Sequence, residues 1–377
     1  NQGMNRFVMR QVEYNNIQEE LASVEFDYSY REKIAEKFRY KNIKIYNLSL
    51  AQANILKQTA LIFGADCAIN REVITGKVQY SDVILCGSYS QLLKIADKLK
   101  SQPFKLAILA KEIEEFLAPQ VRKTQIVGIL NVTPDSFSDG GLYNEPQAAI
   151  KKLVELFEDG ADMVDIGAES TRPNSIAVSP EEQITRLKPV LEFAQKEFNS
   201  KYPISVDTRN SEVADFALNL GVNIINDVSG AEYDSNILNV VSKYNAGIIL
   251  QHSKETPNSE PVYDNVINEI FLSLKNKIDH AREVGINHII IDPGIGFGKS
   301  RLDNLKILDS IEDFYGLKCP IMIGISRKRV LGFPTSEILL KDALTLAYSY
   351  PLIEKEVDYL RVHNVKMHKT FINSLPT

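Results

Sequence analysis

From residue 125 onward the chain repeats one unit eight times: a short apolar, β-branched run followed by a longer segment whose apolar residues recur at helical spacing. The runs are 125–130 (QIVGIL), 162–166 (DMVDI), 203–206 (PISV), 223–226 (NIIN), 247–251 (GIILQ), 288–291 (HIII), 320–324 (PIMIG) and 358–362 (DYLRV). Helical patterns such as EEQITRLKPVLEFAQKEF and YDNVINEIFLSLKNKIDHAREVG lie between them. Strands that are apolar throughout, rather than alternating, are buried on both faces, which is the property of a parallel sheet covered by helices. An open doubly wound sheet would satisfy the alternation. Eight units in the 259 residues from 119 onward match instead the ~250 residues of a closed (β/α)8 TIM barrel.

The pattern ahead of Pro119 is different. Helical spacing is seen at 50–63, 89–99 and 105–116 and a strand-like run at 82–86, an α+β mixture without regular alternation. A chain of 377 residues has room for two domains of ~100–200 residues. The expectation is therefore a smaller α+β domain over 1–118, of no assignable role, and a barrel over 119–377. Charge shifts in the same place: residues 1–120 carry 16 Lys and Arg against 14 Asp and Glu, and the remainder 27 against 35.

Several classes are excluded on these grounds. A net charge of −6 argues against a general nucleic-acid binder, and no apolar run approaches the ~18–20 residues of a membrane span. No basic, then apolar, leader opens the chain, and Asn1 to Gly3 ahead of Met4 read as an expression remnant. Cys67, Cys86 and Cys319 lack metal-ligand spacing and are odd in number, which points to a reducing cytoplasm rather than a disulfide framework.

In a (β/α)8 barrel the chemistry sits at the C-terminal ends of the strands. The residues there are Asn131, Glu169 to Arg172, Asp207, Asn226 with Asp227, Gln251 with His252, Asp292, Ser326 to Lys328, and Arg361 with His363. Single members such as Asp227 have an ordinary reading as caps; so many convergent polar groups are better explained by a site. In GILNVTPDSFSDGG, residues 128–141, a strand ending at Asn131 runs into a Pro, Ser, Asp and Gly-rich loop. The neutral oxygen of Asn131 suits a hydrated magnesium ion, and an Asx-turn is the alternative. Arg172, in DIGAESTRPN, can pair with Asp135, with Asp139 or with an anionic substrate. Asp207, Asn226, Asp292 and Lys328 offer two carboxylates, an amide and an ammonium, which match the edge of a planar 2-aminopyrimidinone. An Asp292–Lys328 structural ion pair is the competing account.

DPGIGFGKS, at 292–300, is not a phosphate loop: Pro293 takes the place of the first glycine of G-x-x-x-x-G-K-[ST]. Its glycines suit a sharp turn that brings Phe297 over a ring. GISRKR and LRVHNVKMHK follow strands seven and eight, where this fold commonly holds phosphate. Lys328, Arg361 and His363 supply donors there, and His368 and Lys369, farther along, read as solvated.

GILNVTPDSFSDGG, GAESTRP, SVDTRN, INDVSG, DPGIGFGK, GISRKR and LRVHNV, in this order, resemble the dihydropteroate synthases of folate biosynthesis, over residues 124–374. The resemblance implies a transferase that condenses 6-hydroxymethyl-7,8-dihydropterin diphosphate with 4-aminobenzoate, with magnesium, in a family that is a sulfonamide target and tends toward homodimers. By motif, it gives Asp207, Asn226, Asp292 and Lys328 to the pterin edge, with Phe297 against the ring. Asn131, Arg172, Arg361 and His363 fall to the diphosphate, Asn131 also to its metal. Thr171, Pro173, Phe137 and Ser326, again with Phe297, would shape the aminobenzoate pocket, and Asp135 and Asp139 would act from the first loop, stabilising a pterin cation.

The sequence departs from the usual pattern at Ala168, Asn174 and Asn364, the last removing a carboxylate beside His363. Gln251 and Ser253 stand where methionines able to pack on the pterin are common. These changes bear on affinity and sulfonamide response, and leave the polar groups intact. A pterin-binding methyltransferase barrel and a non-catalytic pterin-binding paralogue are the alternative readings. The SRK sequence and the diphosphate-type donors favour the synthase.

Overall fold

A computed structural model describes residues 7–134, 145–170, 175–254, 261–332 and 335–376. The chain divides into two compact units, Asn1–Gln120 and Val121–Thr377. Among the described residues no helix is long and apolar enough to cross a membrane. The three cysteines are free thiols.

The first unit is α+β. Helices α1 (Ile17–Ser23) and α2 (Arg31–Ala35) precede β1 (Tyr40–Ser49), α3 (Leu50–Ile62), β2 (Asp66–Ala68), β3 (Tyr80–Ser88), α4 (Tyr89–Leu99) and α5 (Leu106–Leu117). The three strands form an antiparallel sheet in the order β1-β3-β2. Ser49 and Ser88 each end a strand and start a helix through a capping box with Gln52 and Gln91, which satisfies N–H groups that the first helical turn leaves unpaired. The sequence pattern locates α3, α4, α5 and the centre of β3. It misses β1, whose YKNIKIYNLS is mostly polar and is held by pairing such as Ile43 with Leu85, far away in the chain.

The second unit is the barrel. Its strands are β4 (Gln125–Asn131), β5 (Met163–Gly167), β6 (Ile204–Asp207), β7 (Ile224–Asp227), β8 (Gly247–Gln251), β9 (Ile289–Asp292), β10 (Met322–Ile323) and β11 (Tyr359–Val362). They pair in parallel in the order β10-β11-β4-β5-β6-β7-β8-β9, and an Ile291–Ile321 bridge joins the two ends. Helices α6 (Glu145–Glu158), α7 (Pro180–Phe198), α8 (Ser211–Asn219), α9 (Asn236–Lys243), α10 (Val266–Glu283), α11 (Arg301–Asp309), α12 (Ile338–Glu354) and α13 (Val365–Ser374) follow successive strands. β10 is shorter than its apolar run because Pro320 has no N–H to donate and the chain turns at 325–328, where Lys328 N–H donates to the Ile325 carbonyl.

Strand alternation divides the side chains between two cores. Ile126, Val164, Val206, Ile225, Leu250, Ile291 and Val362 face the helices. Val127, Met163, Ile224, Ile249, Ile290 and Met322, with Tyr359 packed on them, fill the floor of the barrel. Each such buried side chain stabilises the fold by roughly 1.5–3 kcal/mol. Counting on in twos from this floor, toward the C-terminal ends, the inward positions become Asn131, Asp165, Asp207, Asn226, Gln251, Asp292 and Arg361. The same alternation that closes the apolar core therefore loads the barrel mouth with polar groups.

Candidate active site

The centre of the mouth is Asp165, 1% exposed. Its carboxylate accepts hydrogen bonds from Ser205 Oγ (2.6 Å), Arg361 Nε (2.7 Å) and Asn226 Nδ2 (3.1 Å). Three donors, one of them cationic, compensate the cost of burying this charge. Arg361 also brings Nη2 to 3.7 Å from Asp207 Oδ2. Burial first, and the Asp165 charge second, push the Asp207 carboxyl up to about 8, against the pull of Arg361. Because a carboxylate only accepts, Asp165 fixes which way the Asn226 amide lies: Nδ2 faces Asp165, and Oδ1 is buried without a partner among the described residues. A buried acceptor left unpaired costs about 1–3 kcal/mol, so this oxygen favours a ligand that brings an N–H.

Asp165 is absent from the sequence-derived site because it sits inside an apolar run. The signal that finds it is parity: it lies two residues above Met163 of the floor and two below the end of β5. Asp227, by contrast, has the outward parity, and its carboxylate accepts from Ser229 N–H and Oγ–H and from Ala231 N–H. It builds the turn after β7.

Asp292 and Lys328 lie on the far wall. Asp292 Oδ1 accepts from Gly294 N–H at 2.8 Å, and burial raises its pKa while the Lys328 charge opposes the rise. Lys328 Nζ donates to the Ile295 carbonyl at 2.8 Å and stands 4.9 Å above the Phe297 ring. Its ammonium, burdened by desolvation and supported by Asp292, has its pKa lowered to about 8. The two residues make no ion pair within contact distance among those described, so their charges are not consumed by each other.

The 293–300 loop that carries Phe297 requires glycine. At Gly294 φ is +76°, and a Cβ there would fall 1.8 Å from the His252 carbonyl oxygen; at Gly298 (φ +66°) it would fall 1.7 Å from that of Lys254. Lys299 braces the loop, with Nζ donating to the carbonyls of Gly294 and Phe297 (both 2.9 Å) and His252 (3.2 Å). Burial lowers its pKa to about 7. This lysine, which a phosphate-loop reading would have aimed at a nucleotide, is a structural clamp. His252 is also buried, and desolvation with the nearby Lys299 charge pushes it down to about 3, so its ring is neutral.

After β10, Ser326 Oγ and His363 Nδ1 are 2.7 Å apart, and His363 N–H donates to the same hydroxyl at 3.0 Å. Arg327, at φ +57°, grips Asp342 with Nε at 2.7 Å and Nη2 at 3.0 Å. This bidentate pair holds the turn that presents Ser326 and Lys328. Asn364 donates to Asp342 Oδ2 at 3.1 Å and accepts Met367 N–H as the cap of α13. A carboxylate at 364 would face that of Asp342, so the amide fits the surroundings this chain supplies. His368 corrects the sequence reading: it is 1% exposed and bonded to Ser349 Oγ and the Asn364 carbonyl. It lies on the face of α13 turned to α12. Lys369 pairs with Asp162 at 3.2 Å.

Asn131 ends β4, which pairs with β11 on one side and β5 on the other. A Cβ built on Gly167 would lie 3.7 Å from Asn131 Oδ1 and 3.4 Å from Asp207 Cβ, so these two side chains flank Gly167 from the strands on either side. No group of three or more His, Cys, Asp or Glu able to hold a metal occurs among the described residues. Glu169 braces the loop after β5, accepting from Val178 N–H and Gln183 Nε2 and lying 3.6 Å from Arg209. Asp135, Phe137, Asp139, Thr171, Arg172 and Pro173, with Asn174, lie outside the described residues.

A closed parallel barrel that gathers polar groups at the C-terminal ends of its strands is the architecture of the (β/α)8 enzymes. Residues 127–363 match the family model described as pterin binding enzyme, and the chain belongs to that family. It is 40% identical over 250 residues to the dihydropteroate synthase of Bacillus subtilis, covering 65% of this chain and 85% of that one. It is 33% identical over 348 residues to the bifunctional dihydropteroate synthase/dihydropteroate reductase of Helicobacter pylori, covering 89% and 91%; that match is longer than the second unit and runs into the first. Among solved structures, the Xanthomonas albilineans dihydropteroate synthase with 4-aminobenzoic acid superposes with a TM-score of 0.62 at 35% identity, covering 67% of this chain and 94% of that one. The Anaplasma phagocytophilum dihydropteroate synthase with bound 6-hydroxymethylpterin-monophosphate gives 0.61 at 38%, covering 67% and 97%. Within the pterin-binding enzymes, the chain belongs with the dihydropteroate synthases.

Proposed function

We propose that this barrel condenses 6-hydroxymethyl-7,8-dihydropterin diphosphate with 4-aminobenzoate to give 7,8-dihydropteroate and diphosphate. The observation that carries the reading is the buried Asn226 Oδ1, without a partner among the described residues, on a strand that lies between those of Asp207 and Asp292, with Lys328 following β10. That set demands a flat ligand with several N–H donors and at least one acceptor, which an aminopyrimidinone edge provides.

The chemistry needs no activated nucleophile from the protein. The aniline nitrogen's lone pair forms the new C–N bond, the C–O bond between the pterin methylene and the diphosphate breaks with its electrons on the diphosphate, and the amine gives up one proton. Catalysis is then a matter of alignment and of stabilising the departing anion. Arg361 and His363 face that anion in this reading, with Arg172, while Asp135 and Asp139 stabilise positive charge on the methylene carbon. Ser326, Phe297, Phe137, Thr171 and Pro173 shape the aminobenzoate pocket.

The donor set fits magnesium: one amide oxygen, Asn131, with no carboxylate cage among the described residues, suits an ion that keeps its waters and takes substrate phosphates. When bound, the ion would neutralise charge on the diphosphate. A homodimer in a reducing cytoplasm is the assembly and setting consistent with the resemblance.

The decisive assay is diphosphate release from the pterin diphosphate, with and without 4-aminobenzoate and magnesium; folded protein that forms no dihydropteroate refutes the proposal. Lys328→Ala and Asp292→Ala are each expected to abolish pterin binding in calorimetric titrations. Unchanged affinity in either would refute the assignment of the ring edge.

A further inference from the structure

Gln251 ends β8, is 4% exposed, and stands in register with Asp292 of β9 on the inward face. Among the described residues its side chain makes one hydrogen bond, from Nε2 to Ser253 Oγ at 3.0 Å. The direction of that bond is forced. Ser253 gives its own hydrogen to the Val228 carbonyl at 2.6 Å, so its oxygen is left to accept, and Gln251 must present an N–H to it. The Gln251 carbonyl oxygen is thereby turned away from Ser253 and accepts from no described residue. Asp292 likewise holds one oxygen on Gly294 N–H, and its other oxygen accepts from no described residue.

Two acceptors thus stand on neighbouring parallel strands, whose spacing is ~4.8 Å. A planar amino group sends out two N–H bonds about 120° apart, and with N···O near ~2.9 Å its two acceptors lie ~5 Å from each other. Gln251 and Asp292, paired in register on adjacent strands, have backbones spaced on that same scale.

We propose that Gln251 is a specificity-determining residue whose carbonyl oxygen takes one N–H of the ring amino group while Asp292 takes the other. The assignment rests on the pterin reading of the site and deepens it. The Gln251–Ser253–Val228 chain is the device that aims the oxygen. It makes the pocket select for the amino substituent itself, beyond the ring that carries it.

The test is a two-by-two titration of the full-length protein: wild type and Gln251→Met, each with 6-hydroxymethylpterin and with the analogue carrying hydrogen in place of the 2-amino group. Methionine keeps the length and removes the acceptor. One neutral hydrogen bond corresponds to about a fivefold change in affinity. Gln251→Met is expected to bind the amino ring about fivefold more weakly and the desamino ring equally well. Ser253→Ala, which leaves the glutamine in place but unaimed, is expected to lose part of the same preference and keeps the proposal testable should the methionine variant not fold. An undiminished preference for the amino ring in Gln251→Met, or in Ser253→Ala if only that variant folds, would overturn the Gln251 assignment alone. Failure of folded wild-type protein to bind either ring would remove the pterin reading and this assignment together.

Discussion

Asp165→Ala is the sharpest perturbation of the site because one carboxylate holds three groups. Its removal leaves the Arg361 guanidinium with Asp207 at 3.7 Å as its remaining carboxylate contact and takes the acceptor from Asn226 Nδ2. Breaking a buried ion pair from one side costs about 3–5 kcal/mol. The loss is partly offset, because the Asp165 charge is the second contribution raising the Asp207 pKa to about 8. Without it Asp207 ionises more readily and becomes a better partner for Arg361. A net loss of about 3 kcal/mol is a large share of a typical ~5–15 kcal/mol. At ~2–4 °C per kcal/mol for a unit of this size, the barrel's melting temperature should fall by roughly 6–12 °C. Differential scanning calorimetry at pH 7 is the suitable assay, since it separates the transitions of two units. Asp165→Asn, which keeps the shape and one acceptor, should lose less. A melting temperature for Asp165→Ala within about 2 °C of wild type, less than 1 kcal/mol on that scale, would refute the assignment of Asp165 as the centre of the network.

Further outcomes follow from the charges of the mouth and from the 293–300 loop. The Lys328 pKa, lowered to about 8, predicts that affinity for the pterin falls as pH rises through 8, whereas Lys328→Arg should hold its charge and flatten that limb; a titration series from pH 6.5 to 9.5 checks both. The stability signs are opposite for the two charges. Lys328, depressed on folding, contributes stability that is present above its ordinary 10.5 and lost as pH falls through 8. Asp207, raised on folding, contributes stability that is present below its ordinary 3.8 and lost as pH rises through 8. Gly294→Ala should cost at least about 1–2 kcal/mol from the left-handed backbone alone, and more from the 1.8 Å approach to the His252 carbonyl. Its thermal unfolding should show a lowered transition and its pterin affinity should drop with the displaced Asp292; wild-type values for both would refute the tight-turn account.

The eight strands were legible in the sequence because each is a local event: a β-branched run long enough to cross the sheet once, bounded by polar residues. The mouth was legible for the same reason, since strand ends can be counted. What could not be read was which polar group answers which. Asp165 looks like a strand interior until the floor residues reveal its parity, and its partners Asn226 and Arg361 come from β7 and β11. Pro293 rules out a phosphate loop around Lys299, but only the turns at Gly294 and Gly298 show what the lysine does instead, by folding three carbonyls around it. His368 reads as solvated because nothing in α13 indicates that Ser349 of α12 lies against it. In the first unit, β1 is set by its pairing with β3 more than by its own composition.

By itself, the sequence determined an α+β unit followed by a (β/α)8 barrel and the ring of strand-end residues from Asn131 to His363, because periodicity and motif order are properties of the chain alone. Tertiary structure decided that Asp165 holds the centre and that, among the described residues, Asn226 and Gln251 each keep an oxygen without a partner and Lys328 and Asp292 form no ion pair with each other. Those outcomes depend on barrel closure, which brings charges distant in sequence to within a few ångströms in a medium where burial shifts their protonation.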